Sequence, residues 1–416
     1  MSDKLKNIYF FIVVIFSGLS LTFFREHVGL IILWLIGLLI FRKETYYTQK
    51  KLLIAFGIWM GYFIINTLII GSFHPMFMFS YVANIMIAYW LLGYYKQNIF
   101  LKYEDIIYKL TVVSLIFYLI QLIIPDPMYS LFKEIDMSQN LFPNRNYASI
   151  GIYTYHQVGM FELFPRNSGF CWEPGPFSSY VVLALFINIA RNGIKLNDTK
   201  RLIVFLLALI SSQSTTSFVV LLTIIIWYAW ERYKNKAFVV LSVPLGIAIV
   251  IYLFVTLPWL QEKIITDSNQ DVEEILSHAK KSGGSYAPGR FASFQLRWED
   301  FRNYPIAGFG GNIKSQVGYF SDENVVAAIN GIGTIMGKYG LIGSVIFLLL
   351  IFKTGRWLAN FYHFKGYLIF PLLILMIGFG FGIIESPLII TLWMVPVFMQ
   401  KQNKYFQYVK KNTFFH

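Results

Sequence analysis

Apolar runs of membrane-crossing length recur along this sequence, separated by short loops rich in lysine and arginine. A helix needs roughly 20 residues to cross ~30 Å of hydrocarbon, fewer where flanking side chains snorkel. Backbone polar groups find no water in lipid, so such runs must be helical. Spans are expected near 8–24, 28–41, 52–70, 76–95, 106–124, 174–190, 201–212, 216–230, 237–257, 330–352, 367–384 and 387–400. The spans at 28–41 and 201–212 are short for a full crossing. Ser211-Ser-Gln-Ser-Thr-Thr-Ser217 divides 201–230 into a tight hairpin, or forms a polar interruption in one long helix. The expected fold class is all-α: a polytopic integral membrane protein with about twelve transmembrane helices. Composition agrees, because only 14% of residues are charged, against roughly 25% in soluble domains.

The net charge of +13 raises nucleic acid as a partner, but the distribution argues against it. With the N-terminus inside, the basic residues gather in alternate short loops, such as Arg42, Lys43, Lys50 and Lys51, and later Arg191, Lys195, Lys200 and Arg201. That is the positive-inside pattern, and it places both termini in the cytoplasm. The apolar run after Met1–Lys6 lacks a small-residue cleavage site and reads as an uncleaved first helix.

One membrane domain, 1–416, is expected, with two large loops on the opposite face, at 125–173 and 258–329. The inside loops are too short for a nucleotide-binding domain, and no Walker-type phosphate loop is present. Cys171 is the single cysteine, so neither an intramolecular disulfide nor a multi-cysteine metal site is available. His156 and His278 lie in the outer loops without metal-ligand partners at useful spacing, and no metal is expected. Transporters usually carry ionisable residues within their spans. These spans are almost free of charge, which puts the chemistry at the outer face.

Two clusters stand out there. Arg166 and Glu173 flank the entry of the sixth span in Pro165-Arg-Asn-Ser-Gly-Phe-Cys-Trp-Glu-Pro-Gly-Pro176. Pro174 and Pro176 suit a first helical turn, whose free N–H groups favour phosphate. A capped helix with an interfacial arginine is the plainer alternative. The second cluster runs from Gly289-Arg290 to Arg297 and Arg302, then into Asn303-Tyr-Pro-Ile-Ala-Gly-Phe-Gly-Gly-Asn312. In a helix Arg290 and Arg297 share a face, and arginine forks suit pyrophosphate. Gly308, Gly310 and Gly311 shape that loop and offer a backbone nest for an anion. An amphipathic helix touching lipid headgroups is the alternative. Glu323, in Ser321-Asp-Glu-Asn324, is a candidate general base, as is Glu173. Glu385 reads as a loop residue between the last two spans.

The order of these elements resembles the O-antigen polymerase (Wzy) and O-antigen ligase (WaaL) superfamily of bacterial inner membranes. The resemblance rests on Arg166…Gly169…Glu173-Pro-Gly175, then Arg297-Trp…Pro305-Ile-Ala-Gly-Phe-Gly310, then Asn330-Gly-Ile-Gly and Tyr339-Gly-Leu-Ile-Gly343. Arg297 and Gly308 are separated by ten residues, as in the Arg-x10-Gly pattern of Wzy loops. The resemblance implies a metal-independent, cofactor-free glycosyltransferase of GT-C type on the periplasmic face of the inner membrane. It would take undecaprenyl-pyrophosphate-linked oligosaccharide as donor and acceptor, with membrane lipid and a chain-length regulator as partners.

In that reading Arg166, Arg290, Arg297 and Arg302 bind pyrophosphate, and Glu173 or Glu323 is the base. Ligases of the superfamily carry a histidine shortly before the Asn-Gly-rich start of the next span. Here Asp322-Glu-Asn324 stands in that region, which favours the polymerase. The ligase, moving chains onto lipid A-core, is the alternative. A transporter or flippase for lipid-linked oligosaccharides is the rival from another class.

Overall fold

The computed structural model describes residues 3–42, 49–138, 147–157, 164–194, 199–232, 248, 271–282, 287–321 and 325–399. The expected ninth span, 237–257, falls almost wholly outside them, as does Glu323. The described chain is overwhelmingly helical. Gln49–Ile70, the run Pro75–Ile123 and Gly331–Tyr362 are each long and apolar enough to cross a membrane. His27–Phe41 and Ile369–Gly380 are shorter apolar helices. This is a helical membrane protein.

In order, the first helices are α1 (Asp3–Ser17), α2 (His27–Phe41), α3 (Gln49–Ile70), α4 (Pro75–Tyr95) and α5 (Ile99–Ile123). A ten-residue helix, α6 (Pro125–Glu134), precedes a hairpin of β1 (Tyr147–Ser149) and β2 (Thr154–His156). Then come α7 (Pro174–Asn192), α8 (Thr199–Ser212) and α9 (Thr215–Arg232). The second expected loop holds α10 (Val272–Ser282) and α11 (Arg290–Asn303). The chain closes with α12 (Gly331–Tyr362), α13 (Ile369–Gly380) and α14 (Pro387–Trp393). Proline opens α4, α6, α7 and α14, where its missing N–H would be unpaired anyway.

Several ends differ from the expected spans. Helix α1 stops at Ser17 rather than near 24. A Cβ on Gly18 would fall 2.3 Å from the Phe170 carbonyl oxygen, and Leu19 bridges Cys171. The chain therefore leaves the helix to pair with the segment ahead of α7. The polar run at 211–217 ends one helix and starts another, with Gln213 at φ +49° between them.

Helix α7 is the axis of the bundle, with every residue from Pro174 to Ile189 buried. Its Tyr180 hydroxyl donates to the Ser17 carbonyl, and Tyr103 donates to the Tyr180 carbonyl. At the far end of α7, Asn188, Arg191 and Arg201 converge on Glu104, whose side chain is fully buried. That knot ties α5, α7 and α8 together. By contrast α3 buries only Ala55, Trp59, Tyr62, Phe63 and Asn66, leaving Leu53 and Leu68 outward as a lipid-facing helix does.

Helix α12 is broken. Gly340 sits at φ +61°, ψ −158° inside it. A break in an apolar helix strands backbone groups that lipid cannot satisfy. Here the segment 305–310 satisfies them. Leu341 and Ile342 donate to the Pro305 and Ile306 carbonyls at 2.8 and 3.1 Å, and Phe309 and Gly310 donate to Gly337 and Lys338 at 3.0 and 2.9 Å. From α3, Tyr62 and Asn66 bond the Ala307 carbonyl at 2.7 and 2.9 Å. The approach requires glycine on both sides. A Cβ on Gly308, at φ +66°, would sit 2.3 Å from the Lys338 carbonyl carbon, and one on Gly340 would sit 2.5 Å from the Gly308 nitrogen.

Candidate functional site

The amides of Gly308, Phe309 and Gly310 donate to Tyr304, Gly337 and Lys338, so they are occupied within the protein and do not form an open anion nest. Gly308, Gly310 and Gly311 do shape the loop: side chains there would meet Lys338, Asn66 and His74.

Helix α11 lies against the first turns of α12, and small residues let it in. A Cβ on Gly333 would come 3.0 Å from the Arg297 Cβ, and one on Gly337 would come 3.0 Å from Asp300. Asn330 caps α12 by accepting from Gly333 at 2.7 Å, and its amide donates to the Phe379 carbonyl at 2.9 Å. One side chain thus joins α12 to the end of α13.

The three arginines of α11 have different surroundings. Arg297, 6% exposed, is turned into the seam between α11 and α12. It pairs with Asp300 at 2.5 Å and lies 5.4 Å over the Phe309 ring. Asp300 also accepts from the Val317 amide at 2.6 Å. Burial pushes the Asp300 carboxyl above the ordinary range, with Arg297 and the Val317 amide pulling it back. Arg290 is half-buried. Its Nε donates to the Gly380 carbonyl at 3.2 Å, and its guanidinium stands 5.2 Å over the Phe381 ring. Arg302 is turned to the surface in an exposed pair with Glu299, away from both.

The first cluster is built at the start of α7. Arg166 donates to the Ser212 and Gln213 carbonyls at 3.1 and 3.2 Å, closing the end of α8. Glu173 is the residue before α7 and makes no side-chain cap bond. It lies in the field of Arg25, whose Nε donates to the Leu19 carbonyl and whose guanidinium covers Trp172. The two clusters meet at one ring. A Cβ on Gly175 would fall 2.1 Å from Phe381, the ring that Arg290 covers. Phe381 therefore touches both the start of α7 and Arg290.

Sequence reasoning missed a third group. Lys338 donates to both Glu385 oxygens at 2.9 and 3.2 Å, and the Tyr339 hydroxyl donates to the same carboxylate. His27 bonds Ser80 alongside, at 2.5 Å. Tyr339 also lines an apolar cavity of about 190 Å³, enclosed by α3, α4, α12 and the α14 end through Trp59, Tyr62, Tyr81, Phe347 and Trp393. The signal was present in the sequence: Lys338 is a charged residue inside an otherwise apolar span.

Residues 202–348 match the family model Wzy_C, described as O-Antigen ligase. No curated protein and no solved structure matches the chain. The matched region runs from α8 into α12, so it contains Arg290, Arg297, Lys338 and the break at Gly340, but not Glu173 or Glu385. Over that region the chain is similar to the O-antigen ligase family.

Proposed function

We propose that this chain is a surface-polysaccharide polymerase. It joins repeat units carried on undecaprenyl pyrophosphate at the periplasmic face of the inner membrane, as a twelve-pass protein with cytoplasmic termini and the large loops 125–173 and 258–329 outside. The reading is supported by Arg290, whose guanidinium is held over Phe381, in a membrane protein that also holds an apolar cavity between α3, α4 and α12. A lipid-pyrophosphate substrate needs both parts: a cation for its head and a greasy wall for its tail.

In this reaction the growing chain leaves its carrier, and the pyrophosphate departs with the bonding electrons. A positioned guanidinium stabilises that departing charge. Arg290 is the arginine best placed to do so. Arg297 braces the seam on which Arg290 stands, and Arg166 braces the α7 side. Neither a metal nor a nucleotide is needed in the step.

The ligase is the second reading, favoured by the description of the matching family. The missing histidine before Asn330 weighs against it. Deleting the gene and running surface polysaccharide on a gel separates the two. Collapse of the ladder to core plus one repeat unit supports the polymerase. Loss of every attached unit, with long chains left on the carrier, supports the ligase. Single units trapped on the inner face would instead identify a flippase.

A further inference from the structure

The Lys338–Glu385–Tyr339 group has a geometry that bracing alone does not require. Lipid-embedded helices seldom carry ionisable side chains, and those they keep usually serve function. Glu385 lies in the short turn between α13 and α14, and Lys338 lies on the first half of α12. Each keeps about a quarter of its side chain accessible, so the pair is reachable as well as partnered.

Its position is fixed twice over. The Lys338 carbonyl accepts from the Gly310 amide and the Tyr62 hydroxyl, so the docked 305–310 segment holds the residue that carries the ammonium. The turn bearing Glu385 begins at Gly380 and Phe381, the two residues that hold Arg290. Arg290 and Glu385 are thus anchored to opposite ends of one six-residue stretch, 380–385. Tyr339, the partner of Glu385, also lines the apolar cavity.

We propose that Glu385 is the group that takes the proton from the acceptor sugar hydroxyl, with Lys338 and Tyr339 orienting its carboxylate. The proposal rests on the polymerase reading. In the step, the acceptor O–H gives its proton to a Glu385 oxygen while that hydroxyl oxygen forms a bond to the donor's anomeric carbon. The carbon–oxygen bond to pyrophosphate breaks, and the electron pair leaves with the lipid pyrophosphate beside Arg290. Beyond the donor and the acceptor no oxidant or further reactant is required. The other titratable groups facing Glu385 are His27 from α2, Tyr62 from α3 and Tyr81 from α4.

The test uses the full-length chain in nanodiscs, with lipid-linked repeat units extracted from a strain lacking the gene. Products are read as a ladder on a gel across pH. Glu385→Gln should lower turnover on the order of 10²–10⁴-fold, the contribution typical of a general base, while still retaining the lipid-linked units in a pull-down. Glu385→Asp should keep partial turnover with a displaced acid limb in the pH profile. A Glu385→Gln protein within threefold of wild type overturns the proposal, as does an unmoved acid limb in Glu385→Asp.

If Glu385→Gln does not accumulate, the pair Lys338→Met with Glu385→Gln leaves no unmatched charge. An active double variant also overturns the proposal, and a folded, inactive one supports it. If wild type itself makes no ladder from these units, the polymerase reading has failed rather than the choice of base.

Discussion

Two arginines seven residues apart look equivalent in the sequence, and their surroundings make them different. Arg290 rests on a carbonyl and a ring, whereas Arg297 neutralises a fully buried carboxylate. On the polymerase reading, Arg290→Ala should abolish the ladder while the protein still accumulates in the membrane. Arg297→Ala should cost stability on the order of 3–5 kcal/mol, because it leaves Asp300 buried without its partner. The loss should depend on pH with a definite sign. The folded Asp300 carboxyl lies above its ordinary value, so its protonated form favours folding. That contribution is full below about pH 4 and is lost as pH rises through the folded value. Removing Arg297 raises the folded value further. The Tm gap between Arg297→Ala and wild type should thus be smaller at pH 5 than at pH 7.5. A gap that narrows as pH rises would show that Asp300 is not what Arg297 stabilises.

At the scale of elements, the broken helix decides the architecture of the site. Gly308→Ala and Gly340→Ala each place a Cβ under 3 Å from backbone, at a positive φ. A residue that is not glycine is strained there before any clash is counted. Each should lower Tm by several degrees, open 305–310 to protease and reduce the ladder. Gly61→Ala on α3, which meets nothing within 4 Å, should change none of these, and a fall in all three variants alike would remove the docking argument.

This element also shows what the sequence could and could not tell. The apolar runs were legible because helix length and lipid thickness are local constraints. Pro305-Ile-Ala-Gly-Phe-Gly310 was legible as a shaped loop, since glycine and proline restrict the backbone wherever they occur. Its partner was not, because it is a backbone surface exposed only by the kink at Gly340. Lys338 and Glu385 are 47 residues apart, and only the folding of α13 back onto α12 makes them a pair. Arg302 was grouped with its neighbours by spacing alone. Helical phase turns it outward to Glu299 instead.

For the whole molecule, one arrangement connects membrane and chemistry. Lys338 and Glu385 pair at the α13–α14 turn, Arg290 is held at the start of that turn by Gly380 and Phe381, and Tyr339, which bonds Glu385, also lines the apolar cavity. Its α3 wall includes Ile54 and Ile58, which are more than half exposed, so the cavity opens sideways toward lipid. A carrier-linked substrate could then enter from the bilayer with its tail in the cavity and its head at the turn, never leaving the membrane. Ile346→Trp, placed on the α12 wall, would fill that space without touching a charged group. On the polymerase reading a tail in the cavity would contribute binding held equally in ground and transition states, so its loss should raise KM and leave kcat near wild type. The shift should shrink for a donor with a shortened isoprenoid chain, because a shorter tail loses less when the wall closes. A lowered kcat at unchanged KM would place the tail elsewhere and reduce the cavity to a packing fault between α3 and α12.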